Sequence, residues 1–96
     1  MEIKAEVRKY IAENFLPNVP LAAIDDSMPL ISGGVIDSIG MIGLVAFLES
    51  RFDVEFLPRE IDVHGLDTLE RIEELMRRKL ASRNPGVAEG ETQPVR

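Results

Sequence analysis

The chain has 96 residues, 45% of them hydrophobic, with 17 acids against 11 bases, a net charge of −6 and no cysteine. That length suits one small folded domain, and the missing cysteines exclude disulfides, thiolate metal sites and cysteine nucleophiles. Residues 21–70 hold ten acids but only Arg51 and Arg59, and no Lys or Arg lies between Lys9 and Arg51; this leaves too few cations to grip a nucleic-acid backbone and favours protein partners with basic docking patches.

The N-terminal stretch MEIKAEVRKY alternates charged and apolar residues, unlike a signal peptide or anchor. No apolar run approaches the ~20 residues of a membrane span, so the expectation is a cytoplasmic protein. Residues 2–15 carry Ile3, Val7, Tyr10/Ile11 and Phe15 at spacings of three and four, which predicts a first amphipathic helix, ended by Pro17 and Pro20. Residues 16–37 then form a long connection punctuated by Pro, Gly, Asp and Ser. It also holds Leu16, Val19, Leu21, Ile24, Met28, Leu30, Ile31, Val35 and Ile36. A solvated linker would not be so apolar, so this loop is expected to lie on the core, and packed loops of this length are often functional.

A second helix is predicted over 38–51, with Asp37 or Ser38 as its N-cap. A short helical turn follows near 59–63, after Pro58. A last helix runs from about Thr68 to Leu80, with Asp67 as N-cap, Glu70 three residues on, and Leu69, Ile72, Leu75/Met76 and Leu80 as its apolar stripe. Residues 82–96 have little to bury and are expected to be a disordered tail. The predicted fold class is therefore all-α: a four-helix bundle of three main helices and one short one, with a long packed loop between the first two, in a single domain over residues 1–81.

Advancing about 100° per residue along the second helix separates two faces. Met41, Leu44, Val45, Leu48 and Phe52 share the core arc, whereas Ser38, Ile39, Ile42, Ala46 and Glu49 share another. The second arc is either an exposed partner surface or is covered by the long loop or residues 59–66. On the first reading, Ile42→Asp or Glu49→Lys should leave the fold's stability nearly unchanged. Gly40 and Gly43 each cost the helix about 1 kcal/mol relative to Ala, and either admit a close neighbour or are merely tolerated.

Ser38 stands where "GGVIDSIG" turns into helix, and several readings compete for it. It can serve simply as a cap. It can be a hydrolase nucleophile with the lone histidine, His64, as base, although the sequence is not the G-x-S-x-G elbow. A non-covalent phosphate loop would need a cation that this region lacks.

The stretch "GGVIDSIGMIGLVAFLESRFDVEF" resembles the attachment region of the acyl carrier protein family, and the order of elements follows that family over roughly residues 2–80. The resemblance implies that Ser38 bears covalent 4′-phosphopantetheine, supplied from coenzyme A by a phosphopantetheinyl transferase. It implies that Asp37 helps engage that transferase and its magnesium, and that Ile39, Ile42, Ala46 and Glu49 recognise partners. The expected role is a carrier of acyl or aminoacyl thioesters in fatty-acid, polyketide or peptide-type biosynthesis, catalysing nothing itself and binding no metal of its own. It would be loaded by an acyl- or aminoacyl-carrier-protein ligase and emptied by acyl-transferring enzymes, and it is expected to be a monomer. The "GGVIDS" approach looks more like free-standing carriers of peptide-synthetase or ligase systems than like the fatty-acid-synthesis carrier. Ile39 replaces the family's commonest Leu, and Gly40 and Gly43 stand where many members carry acids. A bundle that kept this shape but serves unmodified as an interaction domain is the alternative.

Overall fold

A computed structural model describes residues 2–82. The expected tail lies outside the described residues, except for Ser82, which ends the last helix two residues beyond Leu80. Four α-helices and no strand occur among the described residues: α1 (Ile3–Phe15), α2 (Ser38–Phe52), α3 (Val63–Leu66) and α4 (Leu69–Ser82). Two 3₁₀ turns, Leu21–Ala23 and Pro58–Glu60, interrupt the connections. This is the all-α bundle that the periodicities predict. The segment expected to hold one short turn near 59–63 divides in two. Pro58 starts the 3₁₀ turn, and Asp62 starts α3 afresh, its carboxylate accepting from the Gly65 N–H at 2.8 Å.

α1 buries Ile3, Val7 and Ile11 and packs on α4, which buries Leu69, Ile72 and Met76. Leu16 N–H closes on the carbonyls of Ile11 and Ala12 at the end of α1, and Pro17 cannot extend it. α2 contributes Leu44, Val45, Leu48 and Phe52 to the same core. The long connection belongs to the core as well: Ile24, Leu30 and Ile36 are buried completely or nearly so. Its apolar content is thus packing material, and its backbone must find partners inside the protein.

Those partners correct one expectation. Asp67 does not cap the last helix; Thr68 does, its Oγ1 accepting from Arg71 N–H at 3.1 Å and its carbonyl from Ile72 N–H at 2.9 Å. The Asp67 carboxylate faces the long loop. Oδ1 accepts from Ile31 N–H at 2.8 Å and Ser32 N–H at 2.9 Å, and Oδ2 accepts from the Ser32 hydroxyl at 2.7 Å. A carboxylate is better satisfied by three converging donors than by one helix N–H, and the neighbouring threonine, a somewhat weaker cap, suffices for the helix. Ion pairs fasten the loop elsewhere. Asp26 pairs with Lys4 at 2.9 Å and with Arg8, and its carbonyl accepts from Glu70 N–H at 3.2 Å. After α2, Glu60 pairs with Lys79 at 2.7 Å, and the Lys79 ammonium stands 4.7 Å above the Phe56 ring, fixing this segment to α4.

Candidate functional site

The start of α2 is organised by Asp37. Its backbone is extended (φ −88°, ψ −175°), its Oδ1 accepts from Gly40 N–H at 2.7 Å, and its carbonyl accepts from Met41 N–H at 2.8 Å. Of the two candidate caps, therefore, the aspartate is the cap and Ser38 is the first helical residue. Ser38 is exposed, and no described side chain or backbone group hydrogen-bonds its hydroxyl. A free hydroxyl thus stands at the end of a 15-residue helix, where unpaired N–H groups and the helix dipole favour negative charge.

The approach to this point is tight. Gly34 has φ +85°, a left-handed conformation that glycine adopts without strain, and a Cβ on Gly33 would overlap the Pro29 carbonyl oxygen. Ile36 is buried and its N–H donates to the Leu30 carbonyl at 2.8 Å, so the chain enters Asp37 from a closed loop.

Beside Ser38, Ile39 is 78% exposed and Ile42 65% exposed, and Ala46 is exposed too. Neither the long loop nor residues 59–66 cover this strip. Glu49 differs from its neighbours on the wheel. It is half-buried, and its Oε2 accepts from Phe56 N–H at 2.9 Å. Its carboxylate therefore holds the chain that follows α2, so Glu49→Lys cannot leave stability untouched as the wheel alone suggested.

The two helical glycines also find a reason. A Cβ at Gly40 would lie 2.7 Å from Phe15 Cε1 and 3.0 Å from Ile36 Cγ2, and one at Gly43 would lie 3.3 Å from the Tyr10 hydroxyl. Tyr10 in turn stacks on Phe47 with ring centroids 4.3 Å apart. Aromatic side chains of α1 thus rest on the α2 backbone, and the positions where an acid might have stood face them.

His64 is exposed in α3, and its Nε2 accepts from Arg71 Nη1 at 2.8 Å. It is paired with an arginine and, among the described residues, makes no hydrogen bond to Ser38. Among the described residues no group of three or more His, Cys, Asp or Glu is placed to hold a metal, and no helix is long and apolar enough to cross a membrane. The arrangement offers an exposed hydroxyl, a polarised helix end and an exposed apolar strip. Sequence reasoning took Asp67 for a helix cap, where it clamps the long loop, and missed the structural part of Glu49. The one available signal was the pair Asp67-Thr68, two good caps for a single helix, one of which had to be spare.

No family model matches the chain. It is 36% identical over 74 residues to the D-alanyl carrier protein of Streptococcus thermophilus, covering 77% of this chain and 90% of that protein. Identity and coverage are the same for the D-alanyl carrier protein of Streptococcus sanguinis. Among solved structures, KstB-PCP in its apo form superposes with a TM-score of 0.59 at 27% identity, covering 88% of this chain and 92% of that one.

Proposed function

The chain belongs to the carrier-protein family, and from that premise we propose that Ser38 bears 4′-phosphopantetheine and that the protein presents aminoacyl or acyl thioesters to separate enzymes. The observation that carries this reading is the division of labour at the start of α2: Asp37 makes the cap, which leaves the Ser38 hydroxyl exposed and unengaged. The residues fit the group. A covalent phosphodiester needs no cationic cradle, which is consistent with a loop free of Lys and Arg, and its charge would sit at a helix N-terminus.

In the transfer, Ser38 Oγ forms the new P–O bond as the pyrophosphate bond of coenzyme A breaks. The adenosine bisphosphate leaves, and the serine proton passes to a base of the transferase. Once attached at Ser38, the arm would supply a terminal thiol able to carry an acyl group as a thioester. The chain's own residues hold and expose: Asp37 orients the first turn, Gly33 and Gly34 keep the approach compact, and Ile39, Ile42 and Ala46 form an apolar strip for enzymes to read. Partners of this reading are a phosphopantetheinyl transferase acting with magnesium, a carrier-protein ligase and acyl-transferring enzymes, in the cytoplasm where coenzyme A is supplied. The likeness to D-alanyl carrier proteins supports an aminoacyl cargo, with D-alanine the first to try.

Intact-mass measurement after incubation with coenzyme A, magnesium and a broad-specificity phosphopantetheinyl transferase tests the proposal. A single phosphopantetheine adduct, lost in Ser38→Ala, is expected. No adduct, or one that survives that substitution, would leave an unmodified interaction domain as the better reading.

A further inference from the structure

A path of hydrogen bonds begins at Asp67 and ends beside Ser38, and we infer that Asp67 is a positioning residue for modification of that serine. This role rests on the reading of Ser38 proposed above. The Asp67 carbonyl accepts from Leu30 N–H at 2.7 Å, and the Leu30 carbonyl accepts from Ile36 N–H at 2.8 Å. Residues 30–36 are thereby closed into a loop whose two base residues, Leu30 and Ile36, are both buried. The Asp67 carboxylate takes three of the loop's donors: Ile31 N–H, Ser32 N–H and the Ser32 hydroxyl. Within the loop, Gly34 N–H donates to the Ile31 carbonyl at 3.1 Å. The next residues after Ile36 are Asp37, which caps α2, and Ser38.

Asp67 stands at the junction of α3 and α4, outside the loop and outside α2. It therefore sets where the loop delivers the serine without touching it. Removing the carboxylate leaves two backbone N–H groups and a hydroxyl without their acceptor. The backbone bonds at Leu30 and Ile36 remain, but residues 31–35, no longer held by the carboxylate, spread over other arrangements, and only a fraction of molecules offers Ser38 as the transferase needs it. A binding-competent fraction below one raises the apparent KM in inverse proportion and leaves the bound chemistry unchanged. A residue that merely stabilised the fold would show no such split at temperatures where every variant is folded.

The test compares the full chain with Asp67→Ala, Asp67→Asn and Ser32→Ala, using coenzyme A, magnesium and a phosphopantetheinyl transferase, well below every variant's melting temperature. Asp67→Ala should raise the KM for the carrier about fivefold or more, with kcat within about twofold. Asp67→Asn, whose amide oxygen can still accept from Ile31 and Ser32 N–H, should return KM to within about twofold of the original. By amide hydrogen exchange, Ile31, Ser32 and also Gly40 should lose protection in Asp67→Ala, while the core of α4 keeps it. An unchanged KM, a loss confined to kcat, or undisturbed exchange at Gly40 overturns the inference. Should Asp67→Ala fail to fold, Ser32→Ala removes one of the three carboxylate bonds and should raise KM alone, by about twofold; no rise overturns it equally. Absence of any adduct on the unsubstituted chain overturns the Ser38 reading instead. Exchange at Gly40 then decides by itself whether Asp67 governs the start of α2.

Discussion

At Gly40 the absent side chain is the feature that matters. A methyl there would press on the Phe15 ring and on Ile36, and overpacking of this kind costs about 1–3 kcal/mol. Against it stands the gain of about 1 kcal/mol that alanine ordinarily brings to a helix interior. Gly43 meets only the Tyr10 hydroxyl, the movable end of a side chain. Gly40→Ala should therefore be less stable than Gly43→Ala by about 1–2 kcal/mol, measured by urea denaturation; equal stabilities would show that Phe15 moves aside freely. The expense of two glycines in a helix is visible in the sequence. Its cause is not, because nothing local to α2 says that an aromatic residue of α1 lies on it. At Ser38 the reverse holds. Its place at the helix start is legible from "GGVIDSIG", and only the choice between adjacent cap candidates needed coordinates.

At the scale of the element, α2 presents three surfaces rather than two. Leu44, Val45, Leu48 and Phe52 face the core, Gly40 and Gly43 face the aromatic residues of α1, and Ile39, Ile42 and Ala46 face outward. Glu49 ends the outward strip but belongs to the fold through its bond to Phe56 N–H. This separates two substitutions that the helical wheel treats alike. Ile42→Asp should leave the thermal midpoint nearly unchanged while weakening loading by a cognate enzyme. Glu49→Lys should lower stability by about 1–3 kcal/mol, since it strands a buried backbone donor, whereas Glu49→Gln keeps an acceptor and most of the stability. Thermal melts of the three variants decide the matter, and a large loss in Ile42→Asp would place that residue in the core. The wheel read the 3.6-residue period correctly. It could not read Glu49, because its partner lies beyond the end of the helix, where the chain turns back at Asp53 in a left-handed conformation.

For the whole molecule, carboxylates tie the segments together, and their ionisation makes stability depend on pH. Hydrogen bonding from Lys4 first, aided by the charges of Lys4 and Arg8 and opposed by burial, holds the Asp26 carboxyl below its ordinary range. Lys79 and then Leu57 N–H do the same for Glu60, again against burial. At Asp67 burial acts upward most strongly of all, but the Ser32 hydroxyl and the N–H groups of Ser32 and Ile31 together outweigh it. All three are depressed in the folded protein, so their contribution is complete above the unfolded carboxyl range and is lost as pH falls through the lower folded values. Lys4 is raised, chiefly by its bond to Asp26, so its contribution is complete below the ordinary lysine value and fades only in strong alkali. Stability should hold steady near neutrality and fall below about pH 4. Asp67→Asn should flatten that acid limb in urea titrations across pH, and an equally steep limb would remove Asp67 from the linkage.

The sequence by itself determined α1, α2 and α4, the apolar loop packed among them and the serine at the head of α2. Those features follow from periodicity, capping and breakers, which act between residues no more than a few positions apart. Tertiary structure decided which acid caps and which clamps, why Gly40 must stay small, and what Glu49 holds. The Asp67–Ser32 contact spans 35 positions, and Gly40 meets a side chain from another helix. Such pairings exist only once the chain has closed around its core, because hydrogen bonds and van der Waals contacts are satisfied by proximity in space and leave no periodic trace along the chain.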